Sequence, residues 1–442
     1  MKNILVLGAG RSAITLIKYL LDNSKINSWF ITVADFSKEL AEQAVGNHEH
    51  ANAILFNVTD KKQRKQEIEN ADIVISMLPA CMHILVAEDC LNLRKNLITA
   101  SYVSKKVALL DKKAKEKNVL LLNEIGLDPG IDHMSAMQVI DKIRDTGGQI
   151  ISFKSFCGGL VHPDYDNNPW NYKFTWNPRN VVLAGQGMSQ YIKNGKYKYI
   201  PYTKLFELTE QINILDAGEF EGYANRDSLK YREAYGLHEI PTLFRGTLRR
   251  KGFSQAWNIF VQLGMTDDSY KIEDSISISN REFTNMLLFS DDNLSVEDKF
   301  CKQFGLTKKS VIFKKMEWLG VFTDERMKIK DGSPAQILQE ILERKWSLGS
   351  NDKDMIVMQH QFEYIQKGKQ KKLNSSLLVI GDGPIYTAMA KTVGLPVAIA
   401  TKLILNGSIK SVGVKIPITK DIYIPILKEL EENRINFIEE LV

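Results

Sequence analysis

Cysteine is scarce in this chain. Its 442 residues hold four, Cys81, Cys90, Cys157 and Cys301, with no CxxC pair, which excludes a disulfide framework and thiolate metal sites. Seven scattered histidines show no metal-ligand spacing, so no metal is expected. An excess of either charge is lacking too: 58 Lys and Arg face 53 Asp and Glu, a net of +5 spread along the chain. Neither nucleic acid nor an anionic membrane is expected as a partner. No apolar run approaches the roughly 18 residues of a spanning helix, and the N-terminal run is too short for a signal peptide. The expectation is a reduced, cytoplasmic, metal-free protein of two or three domains.

What the chain does have stands at its start. Ile4-Leu5-Val6-Leu7 breaks into Gly8-Ala9-Gly10-Arg11-Ser12-Ala13 and then turns helical, with Asp35 at the end of the next apolar strand, about 25 residues after Gly10. This order of strand, glycine loop, helix, strand and acid predicts dinucleotide binding. The first glycine permits the tight turn, the second admits a pyrophosphate, and Ala13 sets how closely helix and strand pack. Amides at the helix start hold the phosphates. A carboxylate at Asp35 accepts from both ribose hydroxyls of NAD and repels a 2′-phosphate, so NAD is favoured, while Ser37 and Lys38 keep NADP open.

Short β-rich runs then alternate with helical stretches (ILVLG, WFITVAD, NAILFNV, DIVISMLP, NLITASY, VLLLNEIG). That alternation predicts a Rossmann-type parallel sheet with its ligands at the carboxyl ends of the strands, near Gly8, Asp35, Asn57, Ser76, Ser101 and Glu124. We expect an α/β protein. A Rossmann domain over 1–128 is completed by 385–442, and a mixed α+β substrate and dimerisation domain covers 129–384, with a helical subdomain at about 255–350. MIVMQHQFEYI and KLNSSLLVIG, joined by KGKQK, read as a long hairpin suited to a subunit interface. The tail AMAKTVGLPVAIATKLILNG reads as an apolar helix interrupted at Gly394 to Pro396 and packed on the first domain.

Gly126-Leu127-Asp128-Pro129-Gly130-Ile131-Asp132-His133 follows the sixth run and sets two carboxylates and an imidazole in one turn. Asp128, held extended before its proline, is the candidate for substrate contact, whereas Asp132 can simply cap the next helix. Ser101-Tyr102 ends the preceding strand at the same rim. Ser155-Phe-Cys157-Gly-Gly-Leu160 puts a thiol beside two glycines that suggest a close backbone approach; no base adjoins Cys157, so it lines a pocket rather than attacks. Arg226, Arg245 and Arg249, in turn-like segments, match carboxylates in two-point geometry and suggest a substrate bearing several.

NEIGLDPGIDHM, SFCGGL with NNPWNYKFTW, ANRDS, RGTLRRKGF, EWLG, KDMIVM and AMAKTVGLP resemble, over nearly the whole chain, the saccharopine dehydrogenases that form L-glutamate. One departure is Val161-His162-Pro163-Asp164, where Pro-Ala-Pro-Glu is usual. The resemblance implies reversible oxidation of saccharopine, with NAD(P) and water, to 2-aminoadipate 6-semialdehyde and glutamate, in a homodimer. Substrate would be held by Ser101, Tyr102, Leu127, Asp128, Pro129, Arg226, Thr247, Leu248 and Arg249, with Cys157 nearby. The dinucleotide would be held by Gly8, Ala9, Gly10, Arg11, Ser12 and Ala13, by Val33, Ala34 and Asp35, and by Asn57, Val58, Ile75 and Thr175. Asp128 and Tyr102 are the candidates for proton transfer. The acid at Asp35 leans towards NAD and the lysine-degrading direction. Two other readings are a related imine-forming dehydrogenase such as a carboxynorspermidine synthase, whose polyamine substrate would call for acids rather than arginines, and a non-catalytic dinucleotide-binding protein.

Overall fold

In the computed structural model, which describes residues 1–442, the six N-terminal apolar runs become β1 (Lys2–Leu7), β2 (Trp29–Asp35), β3 (Ala51–Leu55), β4 (Ile73–Ser76), β5 (Asn96–Ile98) and β6 (Leu120–Leu122). The middle of the chain supplies β7 (Gln149–Val161), β8 (Met188–Lys193), β9 (Lys196–Pro201), β10 (Thr209–Asn213), β11 (Glu219–Ala224), β12 (Thr242–Arg249) and β13 (Asp354–Gln366). The C-terminal part adds β14 (Lys369–Ile380), β15 (Gly413–Lys415) and β16 (Ile438–Leu441).

Two compact units result, Met1–Ile150 with Tyr364–Val442, and Ile151–Glu363. The first holds a seven-stranded parallel sheet in the order β15-β6-β5-β4-β1-β2-β3. Such strands are apolar throughout because helices cover both faces. Ile4, Leu5, Val6 and Leu7 are all buried, and the helix Ile14–Asp22 turns Leu16, Ile17, Leu20 and Leu21 inward. β1 lies between β2 and β4, where the order of strands reverses, and the crevice beyond such a switch point is where nucleotides bind.

The unit boundaries differ from the expected 128 and 385. Helix Ile131–Asp145 belongs to the first unit, where Tyr423 donates to Asp141 at 2.6 Å from the helix Lys420–Glu432. The division on the C-terminal side falls inside β13, because that strand runs on through Lys367-Gly368 into β14. Both turn residues have positive φ, 51° and 73°, as a two-residue hairpin turn requires. β14 then pairs with β16.

The tail also differs. Ala388–Leu405 is one unbroken helix through Gly394 and Pro396, and it is long and apolar enough to pass for a membrane span by length and composition. It is a core helix, with 72% of it buried. Burial of Leu395, Val397, Ala398 and Ile399 offsets the single hydrogen bond that Pro396 removes. As expected, it packs on the first unit: a Cβ on Gly394 would stand 2.8 Å from the Leu16 amide nitrogen and 3.3 Å from the Ser12 carbonyl oxygen, directly behind the glycine loop.

In the second unit β10-β11-β12-β7-β13 form a mixed sheet, β12 pairing parallel with β7 and antiparallel with β11 and β8. Helices Phe253–Gln262, Asn280–Met286, Val296–Phe304, Val311–Leu319 and Pro334–Trp346 occupy the stretch expected to be helical. Ser279 with Glu282 and Ser333 with Gln336 form capping boxes that start two of them. Trp170, Trp257 and Trp346 are fully buried at the centre of an aromatic core.

Candidate active site

The site residues expected from the sequence divide between the units. In the first, β1 ends at Gly8, whose φ of +104° only glycine adopts readily and where a Cβ would lie 2.9 Å from the Met77 carbonyl oxygen. Gly10 faces open space, with nothing within 4 Å of where its Cβ would be, so a phosphate can approach the backbone there. Arg11, Ser12 and the buried Ala13 form a single 3-10 turn before the helix. Asp35 clasps this loop: one carboxylate oxygen accepts from the Ala9 amide at 2.7 Å and the other from the Ser37 amide at 2.9 Å. Each oxygen keeps a further lone pair for a ribose hydroxyl. Ser37 caps the next helix and Lys38 pairs with Glu42 at 3.1 Å. Val33, Ala34 and Ile75 are buried in the sheet, Val58 is buried beyond β3, and the Asn57 side chain accepts from Thr59.

One switch-point rim also gathers the residues after β4, β5 and β6. Tyr102 donates to Asp128 at 3.2 Å. Glu124, at φ 55°, reaches two neighbours, accepting from the Val103 amide at 3.0 Å and lying 2.9 Å from His133 Nε2. Asp132 does not cap the helix, whose N-cap is Gly130; from the first turn it accepts from the Gly130 amide at 2.6 Å. Gly126 and Gly130 pass so close that a Cβ on Gly130 would collide with the Gly126 backbone, which is why this turn needs glycine at both ends. Within this turn Leu127 and Pro129 are buried, while Asp128 is half-buried and reaches Tyr102, the chain neighbour of Ser101. His83, between Ser76 and Ser101, went unnoticed in the sequence; the signal available was Ser76 and Ser101 at two adjacent strand ends with a histidine opening the helix between them.

In the second unit, Arg245 and Arg249 are not in turns but on β12, and Cys157-Gly158-Gly159 lies within β7. The glycine serves strand packing, since a Cβ on Gly158 would stand 2.8 Å from Leu248 Cβ and its carbonyl oxygen. Cys157 is in register with Thr247, and Thr247 with Tyr223. Alternation along β12 puts Arg245, Thr247 and Arg249 on one face and Leu248 on the other. Arg226 follows β11 in a left-handed conformation, φ 52°. Arg245 stacks over the Tyr231 ring, 4.5 Å from its centroid.

Arg249 is buried among the rings of Tyr172, Phe253 and Tyr223, at 4.9, 5.3 and 5.9 Å. One of its nitrogens donates to the Leu248 carbonyl at 2.8 Å, its Nε has no partner, and it makes no ion pair. Glu221, opposite it in register, is committed to the amides of Gly252 and Ser254 at the start of the following helix. Burial pushes the phenols of Tyr172 and Tyr223 up, and the Arg249 charge pulls them partly back. Thr175 is buried, and its hydroxyl has no partner either.

The family described as the saccharopine dehydrogenase NADP binding domain matches residues 4–122, and the saccharopine dehydrogenase C-terminal domain matches 126–435. The chain belongs to the saccharopine dehydrogenase family. It is 34% identical over 439 residues to the saccharopine dehydrogenase [NADP(+), L-glutamate-forming] of Saccharomyces cerevisiae, covering 98% of this chain and 97% of that one. A solved structure of the saccharopine dehydrogenase (L-Glu forming) from the same yeast superposes over 100% of both chains with a TM-score of 0.88 at 31% identity. The mitochondrial alpha-aminoadipic semialdehyde synthase of Bos taurus is 34% identical over 456 residues, 99% of this chain but 47% of that protein. This chain thus spans about half the length of those mammalian relatives. The family expected from the motifs is therefore the right one, and its cofactor is a nicotinamide dinucleotide. These names favour NADP and lend no support to NAD as the primary cofactor.

Proposed function

We propose that this protein catalyses the reversible oxidation of saccharopine, with a nicotinamide dinucleotide and water, to 2-aminoadipate 6-semialdehyde and L-glutamate. The observation that carries the reading is Arg249, a buried guanidinium that makes no ion pair, the neighbouring Glu221 being committed to the Gly252 and Ser254 amides. An unpaired buried cation is costly, and a substrate carboxylate removes the cost by completing the pair. Saccharopine has three carboxylates, and Arg226 supplies a second guanidinium for them. The names of the full-length fungal relatives support the same substrate.

The glycine loop and Asp35 fit a dinucleotide, whose bound nicotinamide supplies a hydride acceptor. Ser101, Leu127, Asp128 and Pro129 line the rim for substrate, with Thr247, Leu248, Arg226 and Cys157 as further contacts. Oxidation takes a hydride from the lysyl ε-carbon and a proton from the secondary amine, and water then adds to the C=N bond and releases glutamate. The Tyr102 and Asp128 pair holds a proton that can pass to or from that nitrogen. Absorbance at the reduced nicotinamide band tests the proposal: saccharopine must drive reduction, and glutamate with the semialdehyde must drive oxidation. Inactivity in both directions with both cofactors would overturn it.

The relatives' names support NADP, and one residue supports a second reading, NAD. Asp35 stands where a 2′-phosphate would meet a carboxylate. On that reading kcat/KM is higher with NAD, and Asp35→Ser narrows the difference; a wild-type preference for NADP rejects it. We propose a homodimer as the assembly, to be checked by light scattering.

A further inference from the structure

His83 opens the helix His83–Leu93 and is buried, with both ring nitrogens engaged. Nδ1 lies 2.8 Å from the Ser76 hydroxyl at the end of β4, and Nε2 lies 2.7 Å from the Ser101 hydroxyl just beyond β5. Burial pushes the imidazole down to about 4, so at neutral pH it carries one N–H and one lone pair. Two arrangements exist. With Nδ1 protonated, the ring donates to Ser76 and accepts from Ser101, which spends the Ser101 proton inward. With Nε2 protonated, Ser76 donates to the ring, the ring donates to Ser101, and the Ser101 proton is free to point outward.

Ser76 decides between them. Its hydroxyl is fully buried and His83 is its one hydrogen-bond partner. If Nδ1 carried the proton, the Ser76 proton would be left unpaired away from water, at a cost the other tautomer avoids. The Ser101 backbone is held besides, its amide donating to the Thr99 hydroxyl at 3.2 Å and its carbonyl accepting from the Glu124 amide at 3.0 Å. Only the hydroxyl rotor is left to be set, and the histidine sets it.

We infer that Ser76 and His83 form a positioning relay that fixes Ser101 as a hydrogen-bond donor towards a carboxylate of the bound substrate. The inference rests on the reading of this protein as a saccharopine dehydrogenase with Ser101 at the substrate. Neither Ser76 nor His83 touches substrate; both act through Ser101.

Ser76→Ala is the sharpest variant, because it removes one buried oxygen and frees the ring to take either tautomer. Its KM for saccharopine should rise about five- to tenfold, the share of a hydrogen bond to a charged group that orientation controls, with kcat and the dissociation constant for reduced dinucleotide unchanged. Adding Ser76→Ala to Ser101→Ala should raise KM no further. An unchanged KM, or a parallel loss of dinucleotide binding, would overturn the relay. Nitrogen-15 spectra of histidine-labelled wild-type protein give an independent reading: His83 should be the neutral Nε2–H tautomer from pH 6 to 8, and an Nδ1–H tautomer would refute the proposal. Failure of wild-type protein to turn over saccharopine would instead defeat the functional reading, and the tautomer would still report on the relay itself.

Discussion

Arg249 sets a conflict between stability and binding at a single residue. Replacing a buried, unpaired cation by an apolar side chain of similar length often stabilises a protein. Arg249→Met should therefore raise the Tm while raising KM for saccharopine at least tenfold, roughly the worth of a charged hydrogen bond. A lower Tm, or an unchanged KM, would contradict the assigned role. His83 carries the opposite kind of signature. Its folded-state value of about 4 lies below the ordinary 6.5, so between those limits the unfolded chain takes up a proton that the folded one refuses. Stability consequently falls as pH drops through that window, by about 2 kcal/mol at pH 5. Urea unfolding at pH 5 and 7.5 should show wild-type protein losing that much more than His83→Gln. Of these two residues the sequence showed one. Arg249 was legible because guanidinium clusters point to carboxylates, but its aromatic surroundings come from Tyr172, Tyr223 and Phe253, which no local pattern joins to it.

Elements were legible where one periodicity governed them. The six parallel strands read directly as apolar runs of the right length. Glycine was read correctly at one place and misread at another, because it has several uses. In Cys157-Gly158-Gly159 the close backbone approach expected of it is found, between two strands, whereas Gly394, read as an interruption, lets a helix approach the glycine loop. Gly394→Ala tests the second case. The new methyl would press on the Leu16 amide, which a helix backbone cannot yield, at a cost of about 1–3 kcal/mol. Calorimetric titration should show weaker dinucleotide binding together with a lower Tm, and unaltered affinity would mean that the helix Ala388–Leu405 does not support the loop.

Across the whole molecule, a unit assembled from both ends of the chain was only half visible. The return of the C-terminal tail was expected from its apolar pattern, but the boundaries were not, since helix Ile131–Asp145 declares its partner only through contacts such as Tyr423 with Asp141. The two segments of the first unit meet where Gly148 lies against the Tyr364 ring, 3.2 Å from a Cβ placed on the glycine. Replacing 151–363 by a short Gly/Ser linker should therefore leave a folded protein that binds dinucleotide but has no activity towards saccharopine. Loss of cooperative unfolding in that variant would show that the first unit cannot fold by itself.

Strand β15 takes the outermost place in the parallel sheet, beside β6, although almost 300 residues of chain separate the two. During synthesis the six earlier strands emerge long before it. The outer edge of β6, Leu120–Leu122, then waits with its amides and carbonyls unpaired, an open template for a stray strand. The support behind the glycine loop is equally late, because Ala388–Leu405 leaves the ribosome only shortly before β15. A nascent chain stalled before Ala388 is thus expected to be both sticky and unable to grip its nucleotide, and competence arrives only once β15 has been made.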